Sequence, residues 1–285
     1  MHIPIPPVRL GEDVAALAAE YAAGTREPVA ARDASTVILL RPELEVYLLV
    51  RQTSMAFAAG MSVFPGGGVD PRDRELPDTA WAGPDVAAWA TRLGCSPDRA
   101  RALVAAAVRE TFEECGVLLA GPSAGEVVAD VSSAEWEADR VALESRDLSL
   151  TDLLTRRGLV LRSDLLAPWA AWTTPVFEPK RYATWFFVAR LPEGQVTRDV
   201  STESSSVRWQ APADAVAQVE SGELGMLPPT YLNCLELAAF GGIEAVLADA
   251  ARRHLAMFTP EVEAVDGGFA LSMLPHHAEL VAQRR

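Results

Sequence analysis

Arg109-Glu110-Thr111-Phe112-Glu113-Glu114-Cys115-Gly116 is the stretch on which the reading of this chain turns. It closes the strongest predicted helix, Pro97 to Cys115, with Ser96 as N-cap, Pro97 at the first helical position, Asp98 in the first turn and Gly116 after the end. Glu110, Glu113 and Glu114 stand at i, i+3 and i+4, so their carboxylates share one helix face. Like charges at this spacing cost a helix about 0.2–0.5 kcal/mol each. Two of the acids also sit in the last turn, where the helix dipole disfavours anions by about 0.3–1 kcal/mol. A sequence chosen for stability alone would place arginine there. An acidic cluster that breaks local rules is what a metal site requires, and clustered carboxylate oxygens suit Mg²⁺ or Mn²⁺.

Upstream, Phe64-Pro65-Gly66-Gly67-Gly68-Val69-Asp70 follows a short predicted strand, Met61 to Phe64. The glycines Gly66, Gly67 and Gly68 permit unusual backbone and leave amides and carbonyls open to a ligand or metal. Before it, Ser35–Leu40 and Leu44–Val50 read as a hairpin turning at Arg41-Pro42-Glu43. Strands are predicted again at Ala167–Thr174, Tyr182–Ala189 and Val207–Gln210, helices at Ala213–Ser221, Thr230–Phe240 and Ile243–His254, and a terminal hairpin around Asp266-Gly267-Gly268. Strands bracketing one acidic helix, with further helices outside, imply an α/β class with a mixed sheet between helices.

The chain has 285 residues, 49% hydrophobic and 22% charged, the composition of a packed globular protein. Its 39 acids against 25 bases leave a net charge of −14, which argues against gripping a nucleic acid polymer or an anionic membrane. Three distant cysteines offer neither a disulfide framework nor a CxxC zinc site. No apolar run reaches the roughly 20 residues of a membrane span. With no secretory or peroxisomal signal recognised, the expected location is cytoplasmic. His2, His254, His276 and His277 show no helical ligand spacing and are read as non-catalytic.

Together the acidic segment and the glycine strand resemble the Nudix hydrolases. Arg109 to Val117 fits the second half of that family's box, with Thr111 in place of an aliphatic residue. Gly67 fits its opening glycine, and Asp73 stands where the family has glutamate. Between Asp73 and Arg109 lie 35 residues where the family has seven, so 28 are inserted. That insertion, with Trp172-Thr173-Thr174-Pro175, Lys180 to Phe187 and Leu227-Pro228-Pro229-Thr230, is similar to the branch that includes peroxisomal coenzyme A diphosphatases. Arg51 and Gly60 match the coenzyme A signature, whereas Ala56 replaces its second arginine.

The resemblance implies a single elaborated Nudix-type α/β/α sandwich over 1–285, with insertions at 71–97 and, helical, at 121–165, and a helix and hairpin extension at 241–285. It implies hydrolysis of a nucleoside diphosphate derivative, coenzyme A or acyl-coenzyme A favoured, with ADP-ribose or NADH-type dinucleotides and a non-catalytic nucleotide sensor as alternatives. Glu110, Glu113, Glu114 and the Gly67 carbonyl would hold Mg²⁺ or Mn²⁺. Glu113, Glu114 or Glu203 would be the general base. Arg109, on another helix face by sequence adjacency, would hold the loop through Asp73 or Asp70, and Gly116 would end the helix. Arg51, Arg181, Gly66 and Gly68 are candidates for substrate binding, and Phe57, Trp172, Tyr182 and Trp185 for base stacking. The partner is a small nucleotide, and the family allows a homodimer.

Overall fold

The computed structural model describes residues 6–52, 59–202 and 204–284; His2, Ala56, Phe57 and Glu203, named above, lie outside them. From the N-terminal side, β1 (Arg9–Leu10) and α1 (Glu12–Ala22) lead into β2 (Arg32–Arg41) and β3 (Glu45–Arg51). The short strands β4 (Ser62–Val63) and β5 (Gly66–Gly68) come next. Two 3₁₀ turns (Pro71–Glu75 and Asp78–Ala80), β6 (Trp81–Ala82) and α2 (Val86–Leu93) precede the long α3 (Pro97–Cys115). There follow β7 (Ala120–Gly121), α4 (Ala134–Glu144), α5 (Leu150–Arg157), β8 (Val160–Arg162), β9 (Leu166–Thr173), β10 (Tyr182–Arg190) and β11 (Ser204–Gln210). The last elements are α6 (Pro212–Glu220), α7 (Pro228–Leu237), α8 (Ile243–Ala250), the hairpin β12 (Val262–Val265) and β13 (Gly268–Leu271), and α9 (Pro275–Ala282).

The main sheet runs β11-β3-β2-β10-β9, with β4 added beside β3 and β5 beside β2. It is mixed: β10 lies parallel to β2, from Tyr182 opposite Arg32 to Arg190 opposite Leu40, while β9 runs antiparallel to β10 and β11 to β3. The run Val37-Ile38-Leu39-Leu40 shows why two helical layers are needed. Val37 and Leu39 point into one core with Leu103, Val104, Ala107 and Phe112 of α3, whereas Ile38 and Leu40 point into the other with Val216, Leu232 and Val246. Side chains alternate along a strand, so a continuous apolar run leaves both faces to be covered.

The start and end of α3 match the sequence expectation. Ser96 Oγ accepts from the Arg99 amide at 3.4 Å, and Gly116, at φ 69°, closes the helix by donating to the Phe112 carbonyl at 2.9 Å. Three elements go beyond the expectation. The glycine triplet is itself a strand, with Gly66, Gly67 and Gly68 opposite Thr36, Ser35 and Ala34 of β2. The region holding the tandem histidines is a helix, α9, which begins at Pro275. The terminal hairpin is not a free appendage, because β13 pairs with β1 and closes the two ends of the chain into one small sheet.

Candidate active site

The last two turns of α3 lie directly over β5, and the approach is so close that glycine is required. A Cβ on Gly67 would stand 2.6 Å from the Glu110 carboxyl carbon. On Gly66 it would strike the Ser35 carbonyl at 2.5 Å, whereas on Gly68 it would meet nothing within 4 Å. The Gly66 amide donates to Glu114 Oε2 at 2.7 Å. Glu110, Glu113 and Glu114 are each at least nine-tenths buried and are brought together with the glycine strand in one wall.

Arg109 departs from the expectation of a separate helix face. Its long side chain bends back beside the acids, and Nη1 donates to Glu110 Oε1 at 2.7 Å and to Glu113 Oε1 at 3.1 Å. Nε and Nη2 donate to the two oxygens of Asp73, both at 3.0 Å, and Nη2 also reaches the Gly68 carbonyl at 2.8 Å. Sequence adjacency separates Cβ directions, not the tips of long side chains, and buried carboxylates draw the nearest cation. Asp73 is thereby placed beside the box despite the 28 inserted residues. Its loop is locked locally: Asp70 accepts from the Arg72 amide at 2.9 Å, and Asp73 accepts from the Asp70 amide at 2.8 Å.

The electrostatics follow from burial. Desolvation pushes the Glu110 carboxyl up to about 7 against the pull of Arg109, with the Glu113 charge adding to the rise. Burial raises Glu113 as well. Burial alone would lower Arg109, but the carboxylates of Glu110, Asp73 and Glu113 outweigh it and hold the guanidinium far above its ordinary value. Asp70 is held well below the carboxylate range by its hydrogen bonds with Arg72. Glu110, Glu113 and Glu114 carry the hard carboxylate oxygens that Mg²⁺ or Mn²⁺ takes as ligands, but among the described residues only Glu236, His276 and His277 bring three candidate ligand atoms within 4.8 Å of one another.

These groups line a cavity of about 730 Å³, within the range that encloses a small organic ligand. Six carboxylates and four guanidinia line it, so its charge is negative before any cation enters. Arg51 is in the wall, as are Trp172 and Tyr182. Arg181 is not: Nε donates to the Thr174 carbonyl at 3.0 Å and Nη1 to the Val29 carbonyl at 2.8 Å, so its donors fasten backbone. Trp185 is also committed elsewhere, donating to the Leu93 carbonyl at 3.1 Å. Gly116 supports the site from behind, since a Cβ there would stand 2.7 Å from Arg198 Nε. Glu203 lies outside the described residues.

Several lining residues have no local signature in the sequence. Glu144 and Arg146 arrive from the end of α4, and Val8, Leu10 and Leu271 arrive from the two ends of the chain. The histidines also gain a setting that spacing did not reveal. His277 Nε2 lies 3.3 Å and His276 Nε2 3.8 Å from Glu236 Oε2, while Arg253 donates to Glu236 Oε1 at 2.6 Å. Adjacent positions on one helix meet a partner from another, which no single-helix pattern encodes. The Arg253 pair makes this a charge network joining α7 to α9.

Comparison with known proteins gives three consistent results. The family model described as the NUDT19 Nudix domain matches residues 90–237. The chain is similar to the acyl-coenzyme A diphosphatase NUDT19 of Homo sapiens, 28% identical over 233 residues, covering 69% of this chain and 61% of that protein. It is similar to the protein of the same name from Gallus gallus, 25% identical over 240 residues, covering 70% and 63%. The chain thus spans about three fifths of the length of these curated relatives. Among solved structures, a NUDIX hydrolase from Alicyclobacillus acidocaldarius superposes with a TM-score of 0.66 at 27% identity, covering 77% of this chain and 96% of that one. No helix among the described residues is long and apolar enough to cross a membrane.

Proposed function

The chain belongs to the Nudix hydrolases, in the family of the NUDT19 Nudix domain, and from that membership we propose that it is a metal-dependent diphosphatase of nucleoside diphosphate derivatives, with coenzyme A or acyl-coenzyme A as the favoured substrate. The observation that carries the reading is that Glu110, Glu113 and Glu114 line one cavity with the glycine strand, Glu114 accepting from the Gly66 amide and Glu110 lying close over Gly67. The coenzyme A preference draws on the names of the relatives and on the apolar side chains in the cavity lining, among them Val8, Leu10, Phe177, Pro260 and Leu271, which suit a pantetheine or acyl chain.

In the reaction, a water oxygen bonds to one phosphorus of the diphosphate as the bridging P–O bond breaks, leaving two phosphate monoesters. Glu110, Glu113, Glu114 and the Gly67 carbonyl would hold Mg²⁺ or Mn²⁺, which supplies neutralisation of substrate charge and a lowered pKa for water. Arg109 orients Glu110 and Glu113 through Nη1 and fixes the preceding loop through Asp73. The glycine backbone lets a phosphate lie against β5 without side-chain obstruction. Glu113 or Glu114 receives the proton from the attacking water, and Glu203 is the third candidate for that role.

We read residues 71–97, 121–165 and 241–285 as additions to one domain that shape the cavity, through Arg72, through Glu144, and through Pro260 and Leu271. The proposed setting is the cytoplasm, in keeping with the free thiols of Cys95, Cys115 and Cys234. A second reading, a dinucleotide such as ADP-ribose or NADH as substrate, is favoured by Ala56, which stands where the coenzyme A signature has arginine. A hydrolysis panel with Mg²⁺ or Mn²⁺ separates the two. Coenzyme A, an acyl-coenzyme A, ADP-ribose, NADH and diadenosine polyphosphates are incubated with the protein and products resolved. Release of adenosine 3′,5′-diphosphate from coenzyme A is expected. Turnover of another compound alone would end the preference, and turnover of none of them would end the enzymatic reading.

A further inference from the structure

We propose that Arg146 binds substrate, its guanidinium gripping phosphate oxygens of the diphosphate; the inference rests on the diphosphatase reading and names a phosphate-recognising residue within that same site. Arg146 stands in the turn after α4 and lines the same cavity as Leu143, Glu144 and the acids of α3. Nothing in its local sequence marks it, because it is delivered by the segment between α3 and β9, far from the glycine strand and the acidic box.

Three observations converge on it. The first is backbone conformation. Arg146 has φ 65°, in the left-handed region, and the turn is closed by its amide donating to the Leu143 carbonyl at 2.8 Å and the Leu148 amide donating to the Ala142 carbonyl at 2.9 Å. The helices α2, α3 and α5 end in the same conformation, and each uses glycine there: Gly94, Gly116 and Gly158. An arginine at such a position carries a strain that glycine would avoid. Glu43 and Leu44 share the conformation in the β2–β3 turn, but neither lines the cavity.

The second observation is anchoring. The Arg146 carbonyl accepts from Arg72 Nη1 at 3.1 Å, and Arg72 is itself clamped by Asp70 through Nε at 3.0 Å and Nη2 at 2.8 Å. The backbone that carries Arg146 is therefore tied to the loop that follows β5. The third is charge. Arg72 is matched by Asp70, and Arg109 by Asp73, Glu110 and Glu113. Among the described residues the Arg146 guanidinium makes no hydrogen bond or ion pair, although its backbone is fixed at both the amide and the carbonyl. An exposed planar fork of donors on a fixed backbone, lining the cavity and left unmatched by protein carboxylates, suits phosphate oxygens.

The test compares wild type with Arg146→Ala, Arg146→Lys and Arg146→Gly, measuring kcat and KM for coenzyme A and ADP-ribose and thermal unfolding in parallel. Loss of a charge-assisted contact should raise KM at least about tenfold in the alanine and glycine variants while kcat changes by no more than about threefold. The lysine variant should recover part of the loss. The glycine variant should at the same time unfold about 1–3 °C higher, because the left-handed strain is relieved. A merely structural residue would shift the unfolding temperature and leave KM alone, and unchanged KM in both truncations overturns the proposal. Titration of ADP with Mg²⁺ into wild type and Arg146→Ala reads the same contact without turnover. Weaker ADP binding by the variant supports it even if the substrate panel fails, and equal binding, or no binding by either protein, overturns it.

Discussion

Arg109 and Asp73, 36 positions apart, face each other through two hydrogen bonds of 3.0 Å, and the Asp73 side chain is 2% exposed. The pair fastens the loop after the glycine strand to the helix that carries the acids. All of the inserted chain between them leaves and returns without disturbing this link. The insertion is thus accommodated because its two ends are held by a buried charge pair.

Removing one member of that pair should be costly. Asp73→Ala should destabilise the fold by about 3 kcal/mol, the lower end of the range for a broken buried pair, since Glu110 and Glu113 still compensate Arg109. Urea unfolding of wild type and variant measures this. A loss below about 1 kcal/mol would mean that the pair does not hold the loop.

The glycine strand gives a graded series. Gly68→Ala should leave the unfolding temperature unchanged and cost less activity than Gly67→Ala, because nothing lies within 4 Å of the added carbon. Gly67→Ala should retain the fold and lose activity by at least about 10²-fold, because the carbon displaces the Glu110 carboxylate at the end of a side chain that can move. Gly66→Ala should lower the unfolding temperature, because the obstruction is the Ser35 carbonyl of β2. Hydrolysis rates and thermal unfolding of the three variants check the order, and equal behaviour of Gly67→Ala and Gly68→Ala would contradict it.

The acids themselves are tested by Glu113→Gln and Glu114→Gln. Each should lower kcat by at least about 10²-fold with an unchanged far-ultraviolet spectrum, as expected when metal-assisted chemistry is lost. Chelation with EDTA should abolish wild-type turnover, and Mg²⁺ or Mn²⁺ should restore it. Full turnover in both variants would remove the metal site from these residues.

A pH dependence is expected from Glu236. Burial pushes its carboxyl up, but the hydrogen bond from His277 and the charge of Arg253 outweigh it, and the group sits below its ordinary value of 4.5. A depressed native value means that the folded state releases this proton more readily than the unfolded one. Its contribution is therefore complete above pH about 4.5 and lost as pH falls through the native value. Between pH about 6 and about 3, wild type should lose more stability than Glu236→Gln. Parallel pH curves in urea titration would count against the network.

The α3 boundaries and the shared face of its three glutamates were readable because Ser96, Pro97 and Gly116 act within a few residues of the helix they bound, and because helical spacing alone puts i, i+3 and i+4 together. The burial of Val37 to Leu40 on both sides was likewise implied by a run with no polar alternation. What depends on distance in space was not readable. The reach of Arg109 back to Glu110 and Glu113 is a property of a flexible side chain among buried charges. The turn of Arg181 toward carbonyls at Val29 and Thr174 is set by the backbones around it. The placing of Arg146, Val8 and Leu271 in one cavity depends on which elements pack together. Local rules determined the acidic helix and the face its glutamates share; only tertiary packing, which trades the burial of charges against the partners that happen to surround them, decided which cations, apolar side chains and loops surround that face.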